Sequence, residues 1–170
     1  DEREPFLNLV IVGAGATGVE LAGAYAEIRK NVLPKDYHRI DFSKFQIYLV
    51  EGSRNTLNTM SNKAKTASEK YLREMGVQIL TERFVTAYDG NILSFNNGET
   101  IRTKTVIWAA GVTGNYINGL SQDCRTQTNR IKVDRINKVI GSDNIYAIGD
   151  VAFMETSKYP KGHQDILIKP

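Results

Sequence analysis

Cysteine is almost absent from this chain. Cys124 is the only one in 170 residues, so no internal disulfide can form, and a reducing compartment is the simplest reading. Histidine is nearly as scarce. His38 and His163 are the only two, so a Cys/His metal cluster has no ligand set. No apolar run is long enough to cross a membrane, and no charged-then-apolar leader opens the sequence. Neither charge sign dominates: 22 basic residues stand against 19 acidic ones, for a net +3. The basic residues are spread, which argues against nucleic acid as a partner. Gly-x-Ser-x-Gly and Gly-Lys-Ser/Thr are both missing, which sets aside the nucleophile elbow and the Walker-type phosphate loop. Cys124 sits in a polar stretch without an activating neighbour in sequence and reads as structural. No catalytic residue and no metal ligand emerges.

What is present is organised around one stretch. Asn8-Leu9-Val10-Ile11-Val12 runs directly into Gly13-Ala14-Gly15-Ala16-Thr17-Gly18, and helical periodicity begins at once. A Gly-x-Gly-x-x-Gly that closes a buried strand and opens a helix gives each glycine a mechanical task. Gly13 allows the turn, Gly15 keeps the backbone bare beside a pyrophosphate, and Gly18 lets helix and strand approach. The amides of Ala16, Thr17 and Gly18 then point at the phosphates, aided by the helix dipole. The alternative is a glycine-rich turn without a ligand.

Near-continuous apolar residues over 6–12 predict a parallel strand covered on both faces. Residues 16–33 predict a helix with Leu21, Tyr25, Ile28 and Val32 on one face and Ala22, Gly23 and Ala26 small enough to let it lie near the sheet, ending before Pro34. Residues 34–44 read as an irregular insertion. A second strand is expected over 45–50, a helix capped by Ser61 over 62–75 with Ala64, Ala67, Tyr71, Leu72 and Met75 inward, and a third strand over 77–80. Asp89-Gly90 and Asn97-Gly98 are hairpin dipeptides. They predict an antiparallel meander over 83–88, 91–96 and 99–103. Buried strands are expected again at 105–109 and 145–148, with a short one at 131–133. The tail from 151 shows no period. The expected architecture is α/β: a doubly wound, Rossmann-like parallel sheet in which a three-stranded antiparallel meander replaces one crossover helix. Loops after Val12, Val50, Ala109 and Ile148 should lie along one sheet edge, where ligands of such folds bind.

Glu51 closes the second strand. An acid there accepts hydrogen bonds from the adenosine ribose and repels a 2′-phosphate, favouring NAD over NADP. Its gap from the glycines exceeds the usual one of about 20 residues, and the 34–44 insertion accounts for the excess. A solvated strand-end glutamate is the alternative. Arg54, close behind, keeps NADP open. Glu20 either complements the helix dipole in the first turn or faces a bound dinucleotide, and sequence leaves the two even. Tyr25, Tyr71 and Trp108 read as core.

These blocks resemble a known family. The stretch from Val10 to Gly23 is similar to the second, NADH-binding fingerprint of flavoproteins with two dinucleotide-binding domains. Leu49-Val50-Glu51 resembles the strand with the ribose acid. Val106-Ile107-Trp108-Ala109-Ala110-Gly111-Val112 resembles the strand and loop beside both cofactors. Ile145-Tyr146-Ala147-Ile148-Gly149-Asp150 resembles the motif whose aspartate contacts FAD. Trp-Ala-Ala-Gly-Val, with Lys35-Asp36-Tyr37, points within that group to type II NADH:quinone oxidoreductases.

The resemblance implies NAD(H) as ligand, held by Gly13, Gly15, Ala16, Thr17, Gly18, Glu20 and Glu51, with Ala110, Gly111, Gly149 and Asp150 near the cofactors. It implies FAD and quinone as partners of the full-length parent. That parent would be a peripheral membrane protein on the cytoplasmic face of the inner membrane, and a homodimer. It also implies residues 1–150 as the NAD(H)-binding domain, and 151–170 as the start of a segment returning to the FAD domain or an irregular tail. The chain, which does not begin with Met, reads as a domain cut from a longer protein and is expected to be inactive alone. Two other functions stay open: a flavin-dependent reductase with ferredoxin or disulfide as acceptor, and a non-catalytic NAD(H)-sensing module.

Overall fold

A parallel sheet forms around β1 (Asn8–Val12), whose five residues are all buried. The computed structural model describes residues 3–157 other than 112 and 116. Val112 of the cofactor-loop block, and the tail from 158 onward with Lys161-Gly162-His163, lie outside the described residues. β1 starts two residues later than the apolar run suggests, because Glu4–Phe6 turns as a 3-10 helix with Pro5 inward and Phe6 outward.

α1 (Ala16–Asn31) follows the glycine-rich loop, and α2 (Leu33–Asp36) follows α1. The insertion is therefore partly helical. Pro34 sits in the first turn of α2, where its missing N–H has no helical partner to lose. β2 (Gln46–Val50) then pairs with β1 in parallel, Asn8 opposite Gln46 and Val12 opposite Val50. α3 (Asn62–Glu74) starts at Ser61, whose hydroxyl accepts the Ala64 N–H at 3.3 Å. β3 (Val77–Leu80) pairs with β2. β4 (Val85–Tyr88), β5 (Ile92–Phe95) and β6 (Thr100–Arg102) form the antiparallel meander. β7 (Thr105–Trp108) returns beside β1, completing the order β3-β2-β1-β7.

Two layers cover the sheet. On one face Leu9, Ile11, Leu49 and Ile79 pack with Ala22 and Ala26 of α1 and Leu72 of α3. On the other, Val10, Val12 and Val50 pack with Leu93 and Phe95 of the meander. Ile11, Ile47 and Leu49 are fully buried, each worth about 1.5–3 kcal/mol relative to exposure.

The inner faces of the helices follow the expectation in part. α1 meets the sheet through Gly18, Ala22 and Ala26, and Leu21 and Tyr25 pack partly buried against the same core. Ile28 and Val32 are exposed, because close approach to the strand is made by the small side chains. In α3, Leu72 and Met75 face the core as expected, whereas Tyr71 is 61% exposed.

The chain divides after Gly111 into two compact units. In the second, β8 (Ile131–Val133) pairs in parallel with β9 (Ala152–Met154). Its core gathers Cys124, Ile131, Val133, Val139, Ala147 and Ala152. Residues 145–148 form no strand. Val139 N–H donates to the Ile145 carbonyl at 2.8 Å and Ala147 N–H to that of Asn137 at 3.0 Å. This local pairing leaves only Ala147 of the four buried, and Ile148 is 64% exposed. The loop after Ile148 thus belongs to the second unit, not to the four-stranded sheet, whose edge carries the loops after Val12, Val50 and Trp108.

Candidate nucleotide site at the sheet edge

The glycines divide into those the packing requires and one it does not. Gly13 has φ +102°, and a Cβ there would stand 2.8 Å from Ala110 Cβ and 2.9 Å from the Ala109 carbonyl carbon and oxygen. Its N–H donates to the Val50 carbonyl at 2.7 Å. A Cβ on Gly18 would collide with the Gly13 carbonyl oxygen. A Cβ on Gly15 would meet nothing within 4 Å. The fold leaves room at Gly15 that the fold itself does not use.

Gly15 is the N-cap of α1 and has extended backbone. The first α1 bond runs from Val19 N–H to the Gly15 carbonyl at 3.0 Å, so the amides of Ala16, Thr17 and Gly18 have no partner within the helix. No side chain caps them. They face the space an anion would take. Glu20 is exposed and is the fifth residue of α1, beyond the first turn. The dipole account of Glu20 therefore loses its basis, since that effect fades within one turn.

Glu51 holds the loops together. Its Oε2 accepts the Ala14 N–H at 2.8 Å, and its Oε1 accepts the Ser53 N–H at 2.8 Å. The half-buried carboxylate thereby joins the loop after β1 to the loop after β2. Each oxygen keeps a further lone pair for a ligand hydroxyl. Ala14 is fixed on its other side too, because Leu57 N–H donates to its carbonyl at 2.8 Å. Thr56, fully buried, anchors that segment to α3: its hydroxyl pairs with the Ser68 hydroxyl at 2.7 Å, and its N–H donates to Glu69 at 3.3 Å.

A groove of about 450 Å³ opens here, walled by Gly13, Glu51, Gly52, Phe84, Trp108 and Ala110 among others. Two aromatics stand at it exposed, Phe84 at 60% and Trp108 at 62%. Trp108 is thus not core. Arg83 lines the groove as well and is paired with Glu99, with Nε to Oε2 at 2.9 Å and Nη2 to Oε1 at 3.2 Å. The fork raises the Arg83 pKa and holds the Glu99 carboxyl below the ordinary range, in each case chiefly through this hydrogen bonding. Arg54 pairs with Glu82 at 3.3 Å.

The structure therefore brings Gly13, Gly15, Ala16, Thr17, Gly18, Glu51 and Ala110 to one sheet edge. Gly111, with φ +73°, is exposed at the end of that first unit. Gly149 and Asp150 belong to the second unit, where Arg130 Nε donates to the Asp150 carbonyl at 2.7 Å and the Asp150 residue stays exposed. Among the described residues no group of three His, Cys, Asp or Glu is placed to hold a metal ion. Sequence reasoning missed Ser53, Thr56, Leu57 and Phe84. Ser53 and Leu57 act through backbone amides, which any residue type carries, and Phe84 falls within the strand expected over 83–88, which begins only at Val85.

The profile of the pyridine nucleotide-disulphide oxidoreductases matches residues 2–165. The chain belongs to the pyridine nucleotide-disulphide oxidoreductase family. Relatives within it include a type II NADH:quinone oxidoreductase of Haemophilus influenzae, 30% identical over 154 residues, which are 86% of this chain and 33% of the relative. The type II NADH:quinone oxidoreductase Ndh of Mycobacterium tuberculosis is 29% identical over 167 residues, covering 91% and 35%. The structure of NDH2 from Plasmodium falciparum in complex with NADH aligns with a TM-score of 0.78 at 25% identity, over 91% of this chain and 33% of that one. The chain spans about a third of the length of the family members it matches. Among the described residues no helix is long and apolar enough to cross a membrane.

Proposed function

We propose that residues 1–150 bind NADH within a larger FAD-dependent NADH dehydrogenase that passes electrons to quinone. Residues 151–170 open with β9 and beyond it continue a segment returning to the FAD domain or form an irregular tail. The observation that carries this reading is the Glu51 carboxylate, tied to Ala14 N–H and Ser53 N–H beside the open space at Gly15. Gly15, Ala16, Thr17 and Gly18 receive the pyrophosphate through backbone amides. Glu51 accepts the adenosine ribose hydroxyls, each hydrogen bond to the charged group contributing about 1.5–3 kcal/mol. Gly13 and Ala110 wall the groove, Gly111 continues that wall, and Glu20 borders the phosphates. Gly149 and Asp150 contact FAD: the exposed carboxylate and the free space beside Gly149 suit a cofactor hydroxyl.

Bound FAD supplies the hydride acceptor, which none of these side chains provides. The parent is a peripheral protein of the cytoplasmic face of the inner membrane and a homodimer; the quinone named for its relatives supports the membrane location. Calorimetry with NADH and a visible absorption spectrum test the division of labour. The purified chain should bind NADH, remain colourless, and oxidise no NADH when FAD and a quinone analogue are added. A stoichiometric flavin band with turnover would mean that the glycine loop holds FAD instead.

A further inference from the structure

Phe84 occupies a place that neither the core nor the glycine loop explains. One edge of its ring lies against the bare Cα of Gly52. A Cβ there would stand 2.5 Å from the ring Cε1 and 2.9 Å from Cδ1 and Cζ. The rest of the ring is open, at 60% exposure for the residue. Its backbone is fixed from both sides: Phe84 N–H donates to Asn96 Oδ1 at 2.9 Å, and Asn96 N–H donates to the Phe84 carbonyl at 2.9 Å. The preceding residue, Arg83, donates its N–H to the Glu51 carbonyl at 3.0 Å. An exposed, rigidly mounted aromatic in a groove shared with Glu51 is a stacking surface, and it loses little freedom when a flat ring settles on it.

We propose that Phe84 is the platform on which the adenine ring of the dinucleotide stacks. The inference rests on the NADH reading above and adds where the base goes. Strand order decides between the two aromatics of the groove. In β3-β2-β1-β7, Phe84 follows β3 and lies against Gly52, the residue after Glu51, whereas Trp108 ends β7 on the far side of β1. A ribose held at Glu51 therefore has its base beside Phe84. The neighbouring cation does not compete for that base, because Arg83 is forked onto Glu99.

ADP-ribose carries the adenine and both phosphates without the nicotinamide, and is the probe. Its titration into the unmutated chain, followed by proton NMR, should move the adenine H2 and H8 resonances upfield through the ring current of Phe84. Phe84→Ala should weaken ADP-ribose roughly tenfold, the scale of an aromatic stack, and abolish that shift. Phe84→Trp should restore both. Gly52→Ala, which drives the ring from its seat, should weaken binding with Phe84 still present. Unshifted adenine protons in a bound complex overturn this inference and leave the NADH reading standing. So does a Phe84→Trp variant as weak as Phe84→Ala, since the ring would then be a packing element. Failure of the unmutated chain to bind ADP-ribose overturns the NADH reading and this inference with it.

Discussion

The loop after β1 and the turn at Gly149 both begin at a glycine with positive φ, +102° at Gly13 and +72° at Gly149. Their surroundings are opposite. A Cβ at Gly13 would press on Ala109 and Ala110, and at Gly149 it would meet nothing within 4 Å. In the first region the backbone conformation, the packing of β1 on β7 and the start of α1 all demand the same residues. In the second only the local conformation does, and the chain before it is exposed. The first is thus a finished structure whose one unexplained vacancy is at Gly15. The second, on the proposed reading, is a contact whose partner surface is the cofactor.

Substitutions can break or sharpen that contrast. Gly18→Ala places a methyl onto the Gly13 carbonyl, an overpacking cost of about 3 kcal/mol. Gly149→Ala carries only a left-handed backbone, about 1–2 kcal/mol. Urea unfolding followed by Trp108, the sole tryptophan, should show the first loss clearly and the second hardly at all. Hydrogen exchange at Ile131–Val133 reads the second unit. Equal losses at Trp108 would dissolve the distinction.

Gly15→Val should lower the melting temperature only slightly, through a poorer N-cap, because a Cβ there meets nothing within 4 Å, while NADH affinity falls by about a hundredfold or more. That is the loss of two hydrogen bonds to a charged phosphate. Unchanged affinity by calorimetry would put the pyrophosphate elsewhere.

Glu51→Gln should narrow the preference for NADH over NADPH by roughly tenfold, the weight of one charge-assisted hydrogen bond. It also sets an amide NH2 against Ala14 N–H or Ser53 N–H, so a small fall in melting temperature accompanies it. Equal NADH to NADPH affinity ratios in mutant and wild type would remove Glu51 from the site.

The smallest effect belongs to the exposed Arg83–Glu99 fork. A carboxyl with a lowered pKa adds stability above the ordinary carboxyl range and loses it as pH falls through the lowered value. Glu99→Gln should melt slightly lower than wild type at neutral pH, and the gap should close in acid. A gap that persists in acid would assign the effect to packing.

The parallel sheet was legible because β1, β2, β3 and β7 are short and mainly apolar, with β1 running into Gly13 and β2 into Glu51, and the meander because Gly90 and Gly98 adopt the positive φ its turns need. In the second unit only the strand at Ile131–Val133 was legible. Ile145-Tyr146-Ala147-Ile148 has strand composition, but Asn137 and Val139 capture its backbone locally, and composition alone cannot reveal which partner a segment finds. The inner face of α1 was legible in its small residues Gly18, Ala22 and Ala26 and in Leu21 and Tyr25, and misread only at Ile28 and Val32, which are exposed. The site was legible in its glycines and in Glu51, whose side-chain chemistry is specific. Ser53 and Leu57 escaped because their backbone amides carry no sequence signature, and Phe84 because it read as part of the strand over 83–88, whereas β4 begins at Val85.

Ala14 N–H and Ser53 N–H both donate to Glu51, so the protein's own amides fix that carboxylate. On the proposed reading the ribose meets a side chain whose rotamer is held by the backbone, and little ordering entropy is charged against the encounter. Changes along the groove should then alter how long the nucleotide stays rather than how quickly it is caught.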